Sequence, residues 1–462
     1  MAASAVALSA CATVPNLGPR PEPKAAASYA VQASLQAPAA DWPQDRWWTG
    51  YGDAQLDALI DEALASSPDL AQAAARVSRA NALAQQAGAA LTPQVAANAQ
   101  ASLTKQSYNN GFPAAYVPQG WNDTGLANLS LGYDLDLWGK NRAALAAATS
   151  AAEAARAAAA MTRLALSTSI AAAYADLAQL HAERDAAQAA ADARVRTAGL
   201  IAERAANGLE TQAPVKRAEA GQASAEAQIA AIDESIGLTR NRIAALMGQG
   251  PDRGLAIQRP QAAALKAFGL PETVQADLIG RRPDVVAARL RAEAASSDIK
   301  SAKADFYPNI RLSALIGVQS LGLEWLTRAG SGYGSVGPAI SLPIFDGGRL
   351  QGAYRGARAD YDLAVASYDS AVTQALREVA DVAVSQKALQ ARLDRSRQAL
   401  AASEAAYRIA QDRYRGGLSS YLEVLSAEDA LIADRRAVAE LQTRAFTLDV
   451  ALVRALGGGF QS

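Results

Sequence analysis

The chain contains one structural unit twice, and this internal repeat constrains the fold more than any other feature of the sequence. The segment "SSPDLAQAAARVSRANALAQQAGAALTPQ" begins at Ser66, and "RRPDVVAARLRAEAASSDIKSAKADFYPN" begins at Arg281. The two segments align without a gap and carry prolines at the same places near both ends. Further along, "LDLWGKNR" corresponds to "LPIFDGGR", and "RAANGLETQAPVKRAEA" corresponds to "RYRGGLSSYLEVLSAED". Self-similarity over this length predicts two copies of one supersecondary unit.

Each repeat predicts a helix, two strands and two further helices in the same order. The first helix starts at Pro68 or Pro283, because the missing N–H of proline is not needed in the first helical turn. A period of two then predicts paired strands, and a long uninterrupted segment predicts a helix of about 65 to 70 residues, roughly 100 Å long. A glycine turn and a helix of about 35 residues follow. In the second long helix, small and apolar residues from Ala357 to Leu389 recur at the heptad spacing of a coiled-coil seam.

The repeat boundaries divide the chain into a signal segment, an extended N-terminal segment, the first repeat, a linker, the second repeat and a tail. In that order we predict them at 1–11, 12–53, 54–248, 249–280, 281–457 and 458–462. The elements within the repeats that bear most on function are the β-hairpins and the glycine turns. We predict the hairpins at about 94–138 and 309–345, and the turns at about 207–214 and 416–422.

The strands of both hairpins have one apolar and one polar face. In the first hairpin, Leu129, Leu131 and Tyr133 alternate with polar residues. Strands of about ten residues match the length that crosses an outer membrane. Because four strands cannot close a barrel and open edges cannot lie in lipid, several chains must close it together. A soluble antiparallel sheet with one solvated face is the alternative.

In the barrel interpretation, the polar strand face lines a water-filled lumen. The residues predicted to face this lumen are Asn128, Ser130, Asp134 and Asp136. Two chains would give eight strands and a filled interior, whereas more chains would leave a channel. The carboxylates on the strand are therefore expected to contact water within a multi-chain channel.

The composition favours long packed helices over a compact enzyme. Hydrophobic residues make up 50% of the chain but aromatic residues only 6%, because alanine supplies most of the apolar side chains. The formal net charge of −1 gives no support to nucleic-acid binding. His181 and Cys11 are the only residues of their types, so neither a histidine-based catalytic or metal site nor a disulfide within the chain is expected. We therefore expect neither enzymatic activity nor a cofactor other than a covalent lipid.

The lipid is predicted by the N-terminal sequence. Residues 1–10 are small and apolar, and Leu8-Ser9-Ala10-Cys11 resembles a bacterial lipobox, in which the cysteine is lipidated. The segment lacks the usual Lys or Arg, which fits either a start further upstream or a degenerate signal. Lipidation of Cys11 is thus the expectation, and an incidental free thiol is the alternative.

Taken together, these motifs resemble a known family. The duplicated layout, "PIFDGGR" at 343–349, "RYRGGLSSYLEVLSAE" at 413–428 and the lipobox are similar to those of TolC-type outer-membrane efflux proteins, in particular the NodT-like lipoprotein branch. The resemblance implies an α+β membrane protein. Three copies would form a 12-stranded β-barrel in the outer membrane, joined to a long α-helical barrel through the periplasm.

The resemblance also implies a function and partners. Such a homotrimer is the exit duct of a tripartite efflux pump, lipid-anchored in the outer membrane and spanning it, with a long periplasmic part. Its partners would be outer-membrane lipid, a periplasmic adaptor (membrane fusion) protein and an inner-membrane efflux transporter, and no nucleic acid. Alternatives are the outer-membrane duct of a type I protein secretion system and a structural coiled-coil envelope lipoprotein without a pore. Selectivity would reside mainly in the pump, so the sequence does not reveal the substrates.

The family resemblance assigns roles to residues near the second glycine turn. In the family, the turns between the long helices close the tube, and acids there form a constriction. Tyr414 matches a position that helps to hold the closed state by hydrogen bonding. Leu422 matches an apolar position that narrows the pore, and Glu423 matches one of the ring acids.

Two places in the same region depart from the family pattern. Ser426 stands where a second ring acid is usual, so one of the two rings is missing. In the first repeat, Pro214 and Lys216 replace a frequent Asp-x-Arg pattern that makes gate contacts. We therefore treat Lys216 as a gate position with altered contacts; the alternative is that all these residues are ordinary hairpin-turn residues.

Overall fold

The computed structural model describes residues 13–109, 111–261, 265 and 268–461. They divide into two compact units, and each unit takes corresponding parts of both repeats. The sheet unit contains the described residues up to Pro23, together with Arg76–Ala155 and Ala288–Tyr368. The tip unit contains Lys24–Ala75, Arg156–Ala287 and the described residues from Asp369 onward.

The elements repeat in order and in length. In the first repeat they are α1 (Ala54–Ser66), α2 (Pro68–Ala89), β1 (Gln94–Thr104), β2 (Asn122–Asp134), α3 (Lys140–Ala206) and α4 (Gln212–Leu246). The linker forms α5 (Pro251–Leu255) and α6 (Val274–Arg281). The second repeat forms α7 (Pro283–Ala304), β3 (Asn309–Leu321), β4 (Gly332–Ser341), α8 (Arg349–Arg415) and α9 (Tyr421–Ala455).

Helix lengths confirm the repeat that the sequence predicts. Helices α2 and α7 both start at a proline and both have 22 residues. The long helices α3 and α8 have 67 residues each, and the return helices α4 and α9 have 35 each. None of the described helices contains a stretch that is long and apolar enough to cross a membrane.

In the sheet unit, the four strands form one antiparallel sheet in the order β1-β2-β3-β4. The pairing of β2 with β3 joins the two repeats directly. The register places Asn98, Asn128, Gly317 and Tyr333 in one row across the sheet. Asn98 donates to Asn128 (3.2 Å), and Asn128 donates to the Tyr333 hydroxyl (2.9 Å), so the bond to Tyr333 passes across Gly317.

The two faces of the sheet differ in polarity along all four strands. In the same register, the other face carries mainly apolar side chains: Val95, Leu103, Leu129, Leu131, Tyr133, Ile310, Leu312, Ile316, Val318, Val336 and Ile340. This apolar face is exposed in the single chain, with Val336 87% and Ile316 70% exposed. An apolar face this open needs a partner other than the described residues of the chain, such as lipid.

The strand predictions extend too far at the second strand of each hairpin. Strand β2 ends at Asp134 and β4 ends at Ser341, so Leu342 and Ile344 lie beyond the sheet. The prediction that Asp136 lies on the polar strand face is wrong. Its backbone has φ +43°, and its carboxylate accepts the N–H groups of Asn141 (2.8 Å) and Arg142 (3.0 Å). Asp136 is therefore used to satisfy the unpaired N–H groups at the start of α3.

In the tip unit, the glycine turns between the long helices are shorter than predicted. They span residues 207–211 and 416–420, and Gly208 and Gly417 have φ +72° and +73°. Positive φ is accessible to glycine without steric cost, which explains why the helices reverse at these residues. Pro214 and Leu422 consequently lie in the first turns of α4 and α9 and not in the reversals.

A hydrophobic core of the tip unit contains Trp48, Tyr51, Tyr174 and aliphatic residues of α1 and α4. Asp53 fixes its edge, because one carboxylate oxygen accepts the Gln55 N–H at 2.9 Å and the other accepts the Tyr174 hydroxyl at 2.7 Å. The linker adds a parallel bridge between Ala39 and Leu270. The N-terminal segment and the linker are thereby tied to each other.

Candidate functional site

Tyr414 connects the second repeat to the turn of the first repeat. Its side chain is only 1% exposed, and its hydroxyl donates to the Glu210 carboxylate at 3.0 Å. Burial, followed by the hydrogen bond and the charge of Glu210, raises the pKa of Tyr414 to about 12. The hydroxyl is therefore protonated at neutral pH and remains a donor. The partner of the Tyr414 hydroxyl thus belongs to the other repeat, and a role of this hydrogen bond in holding a closed state stays a prediction.

Arg204 adds a second connection between the two turns. Its guanidinium lies over the Tyr414 ring, 4.8 Å from the ring centroid, and donates to the Tyr414 carbonyl at 3.2 Å. Beneath this contact, side chains from both repeats form one buried cluster: Ile201, Ala218, Tyr407, Tyr414, Tyr421, Val424 and Leu431. The two turns are thus held together within one chain by a hydrogen bond, a cation–π contact and apolar burial.

The other predicted gate residues lie on exposed helix faces. Leu422, Glu423 and Ser426 all lie near the start of α9, and Leu422 is 57% exposed. Lys216 lies on α4 and pairs with Glu219 of the same helix at 2.8 Å. An exposed pair of this kind contributes little to stability. The single chain thus leaves these four side chains available to other molecules, and their role in a gate stays a prediction.

A buried polar cluster near the turns is absent from the sequence predictions. Arg194 of α3 donates to Glu428 (3.2 Å) and Asp429 (3.1 Å) of α9 and to the Gly221 carbonyl of α4 (2.9 Å). Tyr407 of α8 donates to the second Glu428 oxygen at 3.3 Å. This cluster, which we call the Arg194 junction, joins all four long and return helices of the two repeats.

Within the Arg194 junction, Glu428 is the group most affected by the loss of a partner. Its side chain is almost completely buried, and burial raises its pKa although the charge and hydrogen bonds of Arg194 act in the opposite direction. Removal of a buried partner would leave an uncompensated carboxylate. Sequence reasoning missed the junction because Arg194 and Glu428 are far apart in the chain and the helical period alone does not pair them.

The polar strand residues occupy one face of the sheet, as predicted for Asn128, Ser130 and Asp134. Asp134 accepts hydrogen bonds from Asn309 at 3.3 Å and forms an ion pair with Arg311 at 3.4 Å. The carboxylate on β2 is therefore partly neutralised by β3. That this face lines a lumen stays a prediction.

Two further residues singled out in the sequence are Cys11 and His181. Cys11 lies outside the described residues, so its lipidation stays a prediction. His181 lies within α3, and burial lowers its pKa. No cluster of three His, Cys, Asp or Glu side chains suited to a metal ion occurs in the part of the chain that the structure describes.

The proteins and structures similar to this chain include a resistance protein and outer membrane proteins. Fusaric acid resistance protein FusA of Burkholderia cepacia is 38% identical over 344 residues, which cover 72% of this chain and 64% of FusA. The multidrug resistance outer membrane protein MdtP of Escherichia coli K12 is 31% identical over 429 residues, covering 91% of this chain and 88% of MdtP. The crystal structure of the outer membrane protein VceC of Vibrio cholerae matches with a TM-score of 0.86 and 48% identity, over 91% of this chain and 100% of that chain.

The family profile described as "Outer membrane efflux protein" matches residues 59–249 and 275–458. These two ranges fall on the two repeats, and together they cover most of the chain. The structural match to VceC extends over 91% of the chain, so it includes most of both repeats. The chain belongs to the outer membrane efflux protein family.

Proposed function

We propose that three copies of this chain form a passive duct through which small molecules leave the periplasm across the outer membrane. The observation that carries this proposal is the four-stranded sheet, whose apolar face is exposed and whose edge strands β1 and β4 have no second partner among the described residues. In lipid, such edges must pair with strands of further chains. Twelve strands from three chains would leave a lumen lined by the polar face.

The substrates that the relatives suggest are small organic compounds. FusA is named for resistance to fusaric acid and MdtP for multidrug resistance. A concavity of about 930 Å³ on the sheet is wide open in the single chain, which fits a conduit better than a selective carrier. We therefore assign the choice of substrate to an inner-membrane transporter that delivers it, through a periplasmic adaptor, to the helical end of the duct.

We further propose that the turns form a gate held shut by Tyr414. The hydroxyl of Tyr414 donates to Glu210, and Arg204 holds the ring, so the two turns of one chain are tied together. Movement of one helical hairpin away from the other would break these contacts. Opening of the gate would thus cost the free energy that these contacts contribute.

Tyr414→Phe should raise the resting open probability of the channel. The variant keeps the ring and its contact with Arg204 but removes the hydrogen bond to Glu210, which is worth about 1.5–3 kcal/mol for a charged acceptor. The open probability should therefore rise by roughly ten-fold or more. Single-channel recording in planar lipid bilayers measures this change directly.

Tyr361→Phe is the matched control, because it removes a tyrosine hydroxyl that donates to the Pro21 carbonyl in the sheet unit at 3.1 Å. Its open probability should equal that of the wild-type protein. If Tyr414→Phe also behaves like wild type, Tyr414 does not hold the gate. If neither the wild-type protein nor Tyr414→Phe conducts, the duct itself is disproved.

Glu423→Gln should reduce cation selectivity, because three copies of Glu423 near one axis would concentrate negative charge in a narrow opening. Ser426→Asp should increase selectivity by adding a second acidic ring. Reversal potentials in asymmetric salt and block by trivalent cations measure both effects. Glu22→Gln, which removes an exposed carboxylate from the N-terminal segment, serves as the control. Unchanged reversal potentials in both variants would place the constriction elsewhere.

A further inference from the structure

A groove of about 640 Å³ lies in the sheet unit, where the strands give way to helices. One wall is the start of α3, with Arg142, and the other is the end of α7, with Lys300 and Lys303. Trp138 and Tyr307 line the end of the groove nearest the strands. The groove is therefore aromatic at one end and basic along its walls.

The aromatic end is rigid and lies among exposed apolar residues. Trp138 stacks on Tyr307 with ring centroids 4.8 Å apart, and its indole N–H donates to the Pro308 carbonyl at 2.8 Å. Large apolar side chains just beyond the strand ends are exposed: Leu137, Trp138, Leu342, Ile344 and Phe345. Tryptophan and tyrosine concentrate where hydrocarbon meets headgroups, so the residues at this end of the groove suit a membrane boundary.

Most of the positive charge on the walls of the groove is not neutralised by carboxylates in the part of the chain that the structure describes. Lys300 and Lys303 are exposed and lie three residues apart on one helix, so their side chains are neighbours. Within the part of the chain that the structure describes, neither lysine forms an ion pair, and the groove is lined by no acidic residue. Arg142 pairs with Asp136 at 3.1 Å but keeps further donors exposed. Lys140, next to the groove, is by contrast neutralised by Asp305 at 2.7 Å.

We propose that this groove binds the phosphate headgroup of an anionic phospholipid in the periplasmic leaflet of the outer membrane. The two lysines and the free donors of Arg142 would contact the phosphate oxygens, and the acyl chains would lie along the exposed apolar residues at the strand ends. The stacked Trp138–Tyr307 pair would contact the glycerol region. This inference rests on the outer-membrane location of the family and not on conduction or gating.

The purified full-length protein, delipidated in detergent, should bind phosphatidylglycerol more tightly than phosphatidylcholine in native mass spectrometry. Lys300→Gln/Lys303→Gln should weaken phosphatidylglycerol binding by roughly ten-fold or more, because each lysine near a headgroup adds a sizeable attraction. Phosphatidylcholine binding by the same variant should not change, which also reports that the variant is folded. Because binding is measured without conductance, failure here and failure of the duct proposal are distinguishable.

Lys105→Gln/Lys387→Gln removes the same charge from two exposed lysines outside the groove and should bind phosphatidylglycerol like wild type. Equal weakening by both double variants would mean that overall charge and not the groove attracts the lipid. Displacement of the lipid by millimolar inorganic phosphate would identify a small-anion site instead. Equal affinity of the wild-type protein for the two lipids would show that only the acyl chains are recognised. Each of these three results would overturn the proposal.

Discussion

Leu131→Arg should cost the membrane-inserted protein about 2–4 kcal/mol if the residue lies near the bilayer midplane, whereas Ser130→Arg should be tolerated. The two residues are adjacent on β2 but lie on opposite faces. Leu131 is in register with Val95 and Ala314 on the apolar face, and Ser130 is in register with Ala96 and Leu315 on the polar face. A charge at Leu131 would enter lipid, while a charge at Ser130 would stay in water. The amount of protein recovered in urea-washed outer membranes measures the difference.

Val336→Arg and Ser335→Arg repeat this comparison on β4, in the other repeat. Val336 is in register with Ala314 on the apolar face, and Ser335 is in register with Leu315 on the polar face. Each pair is its own control, because the variants of a pair carry the same new side chain at neighbouring positions. Equal recovery of all four variants would mean that the apolar face does not contact lipid. Loss of only the two serine variants would mean that the faces are reversed.

Arg194→Met should lower the free energy of unfolding of the tip unit by about 3–5 kcal/mol, because it leaves the buried carboxylate of Glu428 without its cation. Methionine retains much of the apolar volume of the arginine side chain, so the loss reports charge more than packing. Adding Glu428→Gln should restore most of the stability, since the glutamine is neutral and can still accept from Tyr407. Thermal unfolding in detergent, followed by circular dichroism, checks both variants.

The stability loss of Arg194→Met should depend on pH in a defined direction. Burial already raises the pKa of Glu428, and the charge of Arg194 counteracts part of this effect, so removing Arg194 raises the pKa further. A carboxyl whose folded-state pKa is raised favours the folded state below its unfolded pKa, and this contribution is lost as pH rises through the folded pKa. The variant should therefore lose less stability at about pH 5 than at about pH 8. A loss that is equal at both values, or a failed rescue by Glu428→Gln, would exclude an uncompensated Glu428 charge as its cause.

The sequence predicts local structure in this chain well because its signals are long and periodic. The prolines at 68 and 283 mark helix starts, and the glycines at 208 and 417 mark reversals whose flanking helices have equal lengths in both repeats. Alternation likewise assigns the faces of Leu131 and Ser130 correctly. It fails at Asp136, because two more alternating residues follow the strand while the backbone has already turned to cap α3. Near an element end, capping competes with periodicity and periodicity does not reveal the outcome.

Contacts between the repeats were beyond sequence reasoning. The family resemblance identifies Tyr414 as a hydrogen-bonding residue, but its partner Glu210 follows only from how the two turns pack. The Arg194 junction has no local signal at all, since arginine and glutamate are common on helices. The basic groove is also a tertiary feature, because only the folded chain brings Lys300 and Lys303 into one groove with the aromatic pair at the strand ends.

Gly317 affects the register in which the two repeats pair when the sheet forms. A Cβ atom at this position would lie 2.5 Å from the Ala127 carbonyl oxygen and 2.5 Å from the Asn128 Cβ, so only glycine fits opposite Asn128. If β3 slid by two residues, which keeps the faces correct, Leu315 or Gln319 would take this place, and its side chain would collide with β2. The hydrogen bond from Asn128 to Tyr333 would be lost as well. Glycine at position 317 therefore favours the observed register between the two repeats. Registers shifted by two residues would keep the apolar and polar faces in place, but the steric clash at this position disfavours them.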